Sequence, residues 1–225
     1  MDRRTFIMSA LGAAISLANP ESVNGQTDAV SPDLAALSRQ GRLLLRNRTA
    51  TALIDGARKG TRISQAAGED MAFLPGITLA NGTIACDLRG KNVAQQSFVG
   101  IALHAIDWTT HDVVYFRPFN FRAADPVSRG HAVQYHSAPL FGWQKLRTDH
   151  PGQYEAAVTP PPDPDDWFHA RIVIAHPRLS VFVGNTTTPC LAVNMLSDRK
   201  SGLVGLWVGN NSGGDIANLT VVPAA

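Results

Sequence analysis

Polar side chains with hydrogen-bonding or acid–base chemistry recur at alternate positions along three apolar segments, residues 98–105, 113–119 and 132–136. Successive side chains of a β-strand point to opposite faces, so these residues would oppose the apolar ones of each segment. If the three strands are neighbours, one sheet face carries all of them above a floor kept shallow by Gly100 and Ala102. The set comprises His104, Tyr115, Arg117, Gln134 and His136.

Residues 141–147 follow these segments as a predicted loop and bring an aromatic side chain, Trp143. Sugars present flat apolar faces rimmed with hydroxyls, so a sugar site combines an aromatic platform with Arg, Asn, Gln and His donors. The alternative interpretation is that the polar residues are ordinary solvated positions and that Trp143 covers the core. The predicted ligand-binding residues are Tyr115, Asn120, Gln134, Trp143 and Lys145.

Short β-rich runs separated by Gly, Pro, Asn and Asp fill the chain from Leu43 onward, and no long run has a helical period. This pattern predicts one all-β domain over residues 43–225, an antiparallel two-sheet sandwich. Residues 29–42 form a lead-in, with a short helix starting near Ser31-Pro32-Asp33. The predicted strands are 43–45, 51–54, 63–65, 71–73, 82–88, 98–105, 113–119, 132–136, 168–175, 180–183, 191–194, 202–208 and 215–222.

The first residues have the layout of a secretion signal. Arg3 and Arg4 precede Phe6, and an apolar stretch follows at residues 10–18. The arginine pair resembles the twin-arginine signal, which implies export of a folded protein. A membrane anchor is the alternative, but the stretch is shorter than the roughly 20 residues needed to span a bilayer. We therefore expect residues 1–28 to be a removed signal peptide and the mature protein to be periplasmic or secreted, without a membrane partner.

Charge and cysteine content narrow the function classes. Twenty basic and eighteen acidic residues give a formal net charge of +2, without a basic run interleaved with aromatics, so nucleic acid is not an expected partner. The two cysteines, Cys86 and Cys190, could pair in an oxidising compartment or remain two buried thiols. The glycine-rich phosphate loop and the dinucleotide fingerprint are absent, so the sequence shows no motif for a nucleotide cofactor.

Several segments together resemble the concanavalin A-like lectin/glucanase superfamily, in its laminin-G-like and 3-keto-disaccharide hydrolase-like branch. The resemblance spans most of residues 43–223 and implies a jelly-roll sandwich with a carbohydrate partner. The segments that carry it are residues 81–88, 98–104, 114–121, 167–174, 181–183, 202–207 and 215–219.

The resemblance leaves three functions open. Retaining glucanases of this fold carry a Glu-x-Asp-x-x-Glu strand. That motif is missing here, and the chain has only Glu21, Glu69 and Glu155, which disfavours double displacement. The remaining functions are glycan binding without catalysis, hydrolysis or elimination on a keto-glycoside, and laminin-G-type adhesion.

A keto-glycoside enzyme needs one base and one group that stabilises the developing enolate. His104 or His136 could be the base, and Arg117 or Lys145 the electrophile. The candidate catalytic residues are His104, Arg117, His136 and Glu155.

The resemblance also implies metal sites. A structural calcium ion could bind Asp215. The resemblance also implies a metal that assists the reaction, and the first ligands to consider for it are His104, Asp107, His111 and Asp112. The alternative interpretation is that these four are turn residues.

Overall fold

The structure, a computed structural model, describes residues 28–224. The predicted signal peptide falls almost entirely on residues 1–27, outside the described residues. Among the described residues no helix is long and apolar enough to cross a membrane.

Thirteen strands and four short helices make up the described residues. The strands are β1 (Ala50–Asp55), β2 (Arg58–Ala66), β3 (Asp70–Leu79), β4 (Gly82–Arg89), β5 (Val99–Ala105), β6 (His111–Phe116), β7 (Val133–Ala138), β8 (Glu155–Ala156), β9 (Phe168–Ala175), β10 (Arg178–Val183), β11 (Leu191–Asn194), β12 (Gly202–Val208) and β13 (Ser212–Pro223). The helices are α1 (Leu34–Arg39), α2 (Pro118–Phe121), α3 (Pro126–Gly130) and α4 (Trp143–Asp149).

The strands form two antiparallel sheets. The seven-stranded sheet has the order β1-β2-β13-β4-β9-β10-β11, and the six-stranded sheet has the order β3-β12-β5-β6-β7-β8. One apolar core contains residues of both sheets, with Ile84 and Ile172 from the first and Ile101 and Phe116 from the second. Burial of each such side chain contributes about 1.5–3 kcal/mol, so the facing apolar stripes hold the sandwich together.

The six-stranded sheet is buried on both faces, whereas the seven-stranded sheet alternates. Residues of β4 are alternately buried and half-buried, but every residue of β5 and β6 is buried. A second apolar cluster therefore covers the outer face of the six-stranded sheet, meaning the face turned away from the core. It contains Met71, Phe73, Ala102, Ala105, Val113, Tyr115 and Trp207.

The predicted sandwich and lead-in helix are confirmed. The predictions that were wrong concern the bounds of single strands and one loop, and they have local causes. Residues 118–119, predicted as strand, start helix α2, because Pro118 lacks the N–H that a strand would donate. Residues 141–147, predicted as a loop, contain most of α4. Residues 43–45 make only an isolated bridge, between Leu44 and Phe73.

Both cysteines are free thiols in the structure. Cys86 lies in the core, and Cys190 is half-buried beside β11.

Candidate functional site

A groove with a volume of about 390 Å³ lies on the outer face of the six-stranded sheet. Its floor comes from β6, β7 and β12, its two walls come from α4 and from the loops that carry Glu69 and residues 209–211, and the loop before β5 adds Gln95 and Phe98. The groove is lined by Glu69, Gln95, Phe98, Tyr115, Arg117, His136, Trp143, Gln144, Arg147, Trp207, Gly209, Asn210 and Asn211.

Three rings form the floor. The ring centroid of Tyr115 lies 4.8 Å from that of Trp207 and 5.7 Å from that of His136, and the His136 and Trp207 centroids are 6.1 Å apart. Strand pairing brings the Tyr115 and Trp207 rings together, because both residues lie opposite Gly100, on either side of β5. The alternation in the sequence predicted Tyr115 and His136. Trp207 was not among the predicted site residues, although it alternates with the core residues Leu206 and Val208.

A buried hydrogen-bond network holds Arg117 in the groove lining. Its Nη2 donates to the Tyr115 hydroxyl at 2.6 Å and to Gln134 Oε1 at 2.5 Å, and its Nη1 donates to the His131 carbonyl at 2.7 Å. The Tyr115 hydroxyl in turn donates to Gln134 Oε1 at 2.7 Å. Burial raises the pKa of Tyr115 to about 12, so the phenol stays neutral and remains a donor.

Helix α4 forms the first wall. Trp143, 39% exposed, presents its ring to the groove, and the Arg147 guanidinium lies 5.1 Å from the centroid of that ring. Arg147 also donates to both carboxylate oxygens of Glu155, at 3.1 and 2.8 Å. The Nδ1 of His131 lies 2.8 Å from Glu155 Oε2. Glu155 is therefore behind the wall with both oxygens engaged, instead of in the groove as a free acid or base.

The second wall consists of loops. The Asn210 side-chain oxygen accepts from the Gly68 amide at 2.7 Å, and Arg48 donates to the Gly209 carbonyl at 3.2 Å. Two groove residues that are not glycine, Gln95 (φ 62°) and Asn211 (φ 53°), have left-handed backbones. Such residues are uncommon and concentrate at functional sites. This wall was not predicted from the sequence, because polar loop residues carry no periodic signal.

Two buried histidines lie side by side at the groove floor. The ring centroids of His111 and His136 are 6.1 Å apart, and all four ring nitrogens lack a hydrogen-bond partner among residues 28–224. Burial lowers the pKa of His136 to about 3 and that of His111 to about 4. Donor atoms of His111, His136 and Glu69 all lie within 4.8 Å of one another.

Comparisons with known proteins bear on the fold. No protein-family model and no curated protein matches the sequence. One similar solved structure is a protein of unknown function with a galectin-like fold from Bacillus subtilis, at TM-score 0.57 and 11% identity, covering 86% of this chain and 94% of that one. Another is the carbohydrate-binding module CBM66 from Bacillus subtilis, at TM-score 0.54 and 12% identity, covering 80% and 92%. The fold is a concanavalin A-like jelly roll.

Besides Glu155, Gln134 and Asp215, three further predicted site residues lie outside the groove lining: His104, Asn120 and Lys145. His104 has a left-handed backbone (φ 47°) where the pairing of β5 with β12 shifts register, and its Nε2 lies 2.7 Å from the Ala80 carbonyl oxygen. Such an irregularity breaks the alternation from which its face was predicted. Asn120 is in α2, and Lys145 pairs with Asp149 along α4.

The candidate metal ligands also separate. Asp107 Oδ1 accepts hydrogen bonds from Thr109 and Thr110, which makes it a turn residue. Asp112 is buried, and its carboxylate accepts hydrogen bonds from Tyr135, Ser197 and Arg199. Of the four residues named from the resemblance, His111 is the one that joins the groove-floor cluster.

Asp215 belongs to the seven-stranded sheet. Its carboxylate accepts from Arg62 at 2.7 and 2.9 Å and from Arg89 at 3.0 and 2.8 Å. Calcium requires several free oxygen ligands and disfavours adjacent cations. The residues around Asp215 therefore do not fit a calcium ion.

Proposed function

We propose that this protein is an exported carbohydrate-binding protein and that the groove on the six-stranded sheet holds a segment of a glycan. The observation that carries the proposal is the mixture of groups in one cleft. Rings of Phe98, Tyr115, Trp143 and Trp207 line it together with guanidinium and amide groups. Flat apolar surfaces stack on sugar faces, while fixed donors and acceptors satisfy the surrounding hydroxyls.

Similarity of fold adds support, since one structural neighbour is described as a carbohydrate-binding module. Pre-organisation of the polar side chains at the groove also supports the proposal. Arg117, Tyr115 and Gln134 are fixed by one another before any ligand arrives, so little side-chain entropy is lost on binding.

Binding is favoured over turnover by the groups expected to act as bases. Burial holds the pKa of His136 near 3, so its imidazole is a weak base at neutral pH. The carboxylate of Glu155 is engaged by Arg147. A keto-glycoside hydrolase or lyase that relied on these two groups would lack an available base.

Affinity electrophoresis of the purified protein through a panel of polysaccharides tests the proposal, with released reducing ends and elimination products measured on the same samples. We expect retention by at least one polysaccharide without product. Product formation would favour the hydrolase or lyase. Failure of every glycan, combined with capture of a protein ligand, would favour an adhesion module.

Neighbouring residues of α4 provide a matched pair of variants. Gln144 lines the groove, whereas Lys145 points away from it and pairs with Asp149. Both side chains are exposed, so neither substitution should disturb the core. We expect Gln144→Ala to weaken glycan binding several-fold and Lys145→Ala to leave it unchanged. Equal effects of the two substitutions would place the glycan elsewhere.

Export is part of the proposal and has its own test. A reporter fused after residue 28 should reach the periplasm of a bacterial host, and changing Arg3 and Arg4 to Lys should stop that transfer. Transfer that persists after both changes would contradict the twin-arginine route.

A further inference from the structure

His111 and His136 occupy neighbouring strands of the six-stranded sheet, on its outer face. Val113 pairs with His136 across β6 and β7, so His111, two residues before Val113, lies diagonally beside it. His111 is fully buried and His136 is 3% exposed. Two imidazoles have therefore been brought together in a site from which water is largely excluded.

Within the described residues, neither Nδ1 nor Nε2 of either imidazole makes a hydrogen bond. Buried polar side chains nearly always have a partner, because leaving one unsatisfied costs about 1–3 kcal/mol. Two such residues in contact carry that cost twice. A ligand that engages both rings would recover it.

A glycan in the groove cannot be that ligand for both rings. His136 lines the groove, but His111 lies beneath the lining and is fully buried, so a sugar hydroxyl would not reach it. A single metal ion between the two rings can bind both. Metal ions bind imidazole through an unprotonated ring nitrogen, and no ring nitrogen of either residue is taken up by a hydrogen bond within the described residues.

Glu69 supplies a third donor at the rim. It precedes Asp70, whose carboxylate accepts from the backbone amides of Asn47 and Met71 and so fixes the start of β3. The Glu69 side chain is exposed and free to adjust. Zinc bonds of about 2.1 Å place tetrahedral ligand atoms about 3.4 Å apart. The three donor atoms already lie within 4.8 Å of one another, so coordination would require them to close by at most roughly 1.4 Å.

We infer that His111, His136 and Glu69 form a binding site for one divalent transition-metal ion of the zinc class, with a coordination position open to the groove. Two imidazoles and one carboxylate suit zinc, cobalt or iron(II), whereas calcium and magnesium prefer oxygen ligands alone. The open position follows from the groove, because His136 and Glu69 both line it. The site stands independently of the proposed glycan binding.

Charges near the site are compatible with a cation. The Glu69 carboxylate offsets part of the metal charge. Two arginines act on the imidazoles, Arg117 on His136 and Arg199 on His111. Arg117 Nη1 lies 3.9 Å from Glu155 Oε2 and Arg199 Nη2 lies 2.9 Å from Asp112 Oδ2, so their repulsion of a metal ion is partly cancelled.

The test uses untagged protein freed of metal with a chelator, in the absence of glycan. Calorimetric titration with Zn²⁺ should give one equivalent, and Co²⁺ should develop the visible absorption of a low-coordinate site. Zn²⁺ should also raise the thermal midpoint, while Mg²⁺ and Ca²⁺ should not. We expect His111→Gln and His136→Gln to weaken Zn²⁺ binding at least 100-fold and Glu69→Gln at least tenfold.

His169→Gln is the matched control, because His169 also approaches a carboxylate, with Nδ1 2.9 Å from Asp87 Oδ1, but lies in the seven-stranded sheet. Its Zn²⁺ affinity should equal that of the wild type. Circular dichroism of each variant establishes that the fold persists. Absence of Zn²⁺ binding to the wild type, or one equivalent that survives both His136→Gln and Glu69→Gln, would overturn the inference whatever the glycan assays give.

Discussion

Arg147 donates two hydrogen bonds to Glu155, from Nε to Oε1 at 3.1 Å and from Nη2 to Oε2 at 2.8 Å. The same guanidinium lies 5.1 Å from the ring centroid of Trp143. A buried carboxylate on the short strand β8 thus sets the position of the aromatic side chain on the groove wall. The groove walls depend on contacts between elements that the sequence did not identify as partners.

Trp143→Ala should weaken glycan binding roughly tenfold or more, which corresponds to about 1.4 kcal/mol, because the ring supplies stacking area. Stability should change little, since the ring is 39% exposed. Affinity electrophoresis measures the first effect and thermal unfolding the second. Leu140→Ala is the control, an exposed apolar residue close in sequence that does not line the groove. Unchanged affinity in Trp143→Ala would remove this residue from the binding site.

Glu155→Gln should lower the free energy of unfolding by on the order of 3 kcal/mol, because it removes the buried negative charge that pairs with Arg147 and Arg117. Arg117, 6% exposed in its side chain, would then lack a nearby anion. Urea unfolding measures the loss. Asp163→Asn is the comparison, since its pair with Arg122 is half exposed and should contribute less than about 1 kcal/mol. Similar losses in both variants would refute the structural role assigned to Glu155.

Gln95→Gly should raise stability by up to about 1 kcal/mol while weakening glycan binding. The Gln96 amide donates to the Val93 carbonyl at 3.2 Å, so Gln95 is the third residue of a turn, where its positive φ favours glycine. Thermal unfolding and electrophoresis are measured on the same preparation. Gln96→Gly, in the same turn but outside the groove lining, should not change binding. A less stable Gln95→Gly protein would contradict this account.

Cys190 should react slowly with iodoacetamide until the pH is high. Burial raises the pKa of its thiol to about 11, against about 8.5 for an ordinary cysteine, and only the thiolate reacts. At pH 8 we expect alkylation roughly two orders of magnitude slower than in the unfolded chain, rising about tenfold per pH unit.

The same shift affects stability. Above pH 8.5 the unfolded chain loses this proton first, so the unfolded state binds fewer protons and the free energy of unfolding falls as pH rises toward 11. Cys190→Ser should reduce that decline. Its remaining thiol, Cys86, should react more slowly still, because Cys86 is 1% exposed and burial raises its pKa as well. Rapid labelling of native Cys190 at pH 8 would rule out this burial.

The sequence by itself determined the fold class and most of the groove floor. A strand has a period of two, so once Val114, Phe116, Val133 and Tyr135 are assigned to the core, Tyr115, Gln134 and His136 must face outward. The structure confirms those assignments, with the first four residues in the main core and Tyr115 in the outer cluster. Local alternation and turn chemistry need no knowledge of distant residues.

Only the tertiary structure decided which residues complete the groove. Glu69 and His136 are far apart in sequence and come together because β3, β12, β5, β6 and β7 lie in that order in one sheet. The register shift that moves His104 depends on how β5 meets β12, and the engagement of Glu155 depends on where α4 packs. Strand order, register shifts and loop contacts arise from long-range packing, which local sequence patterns do not encode.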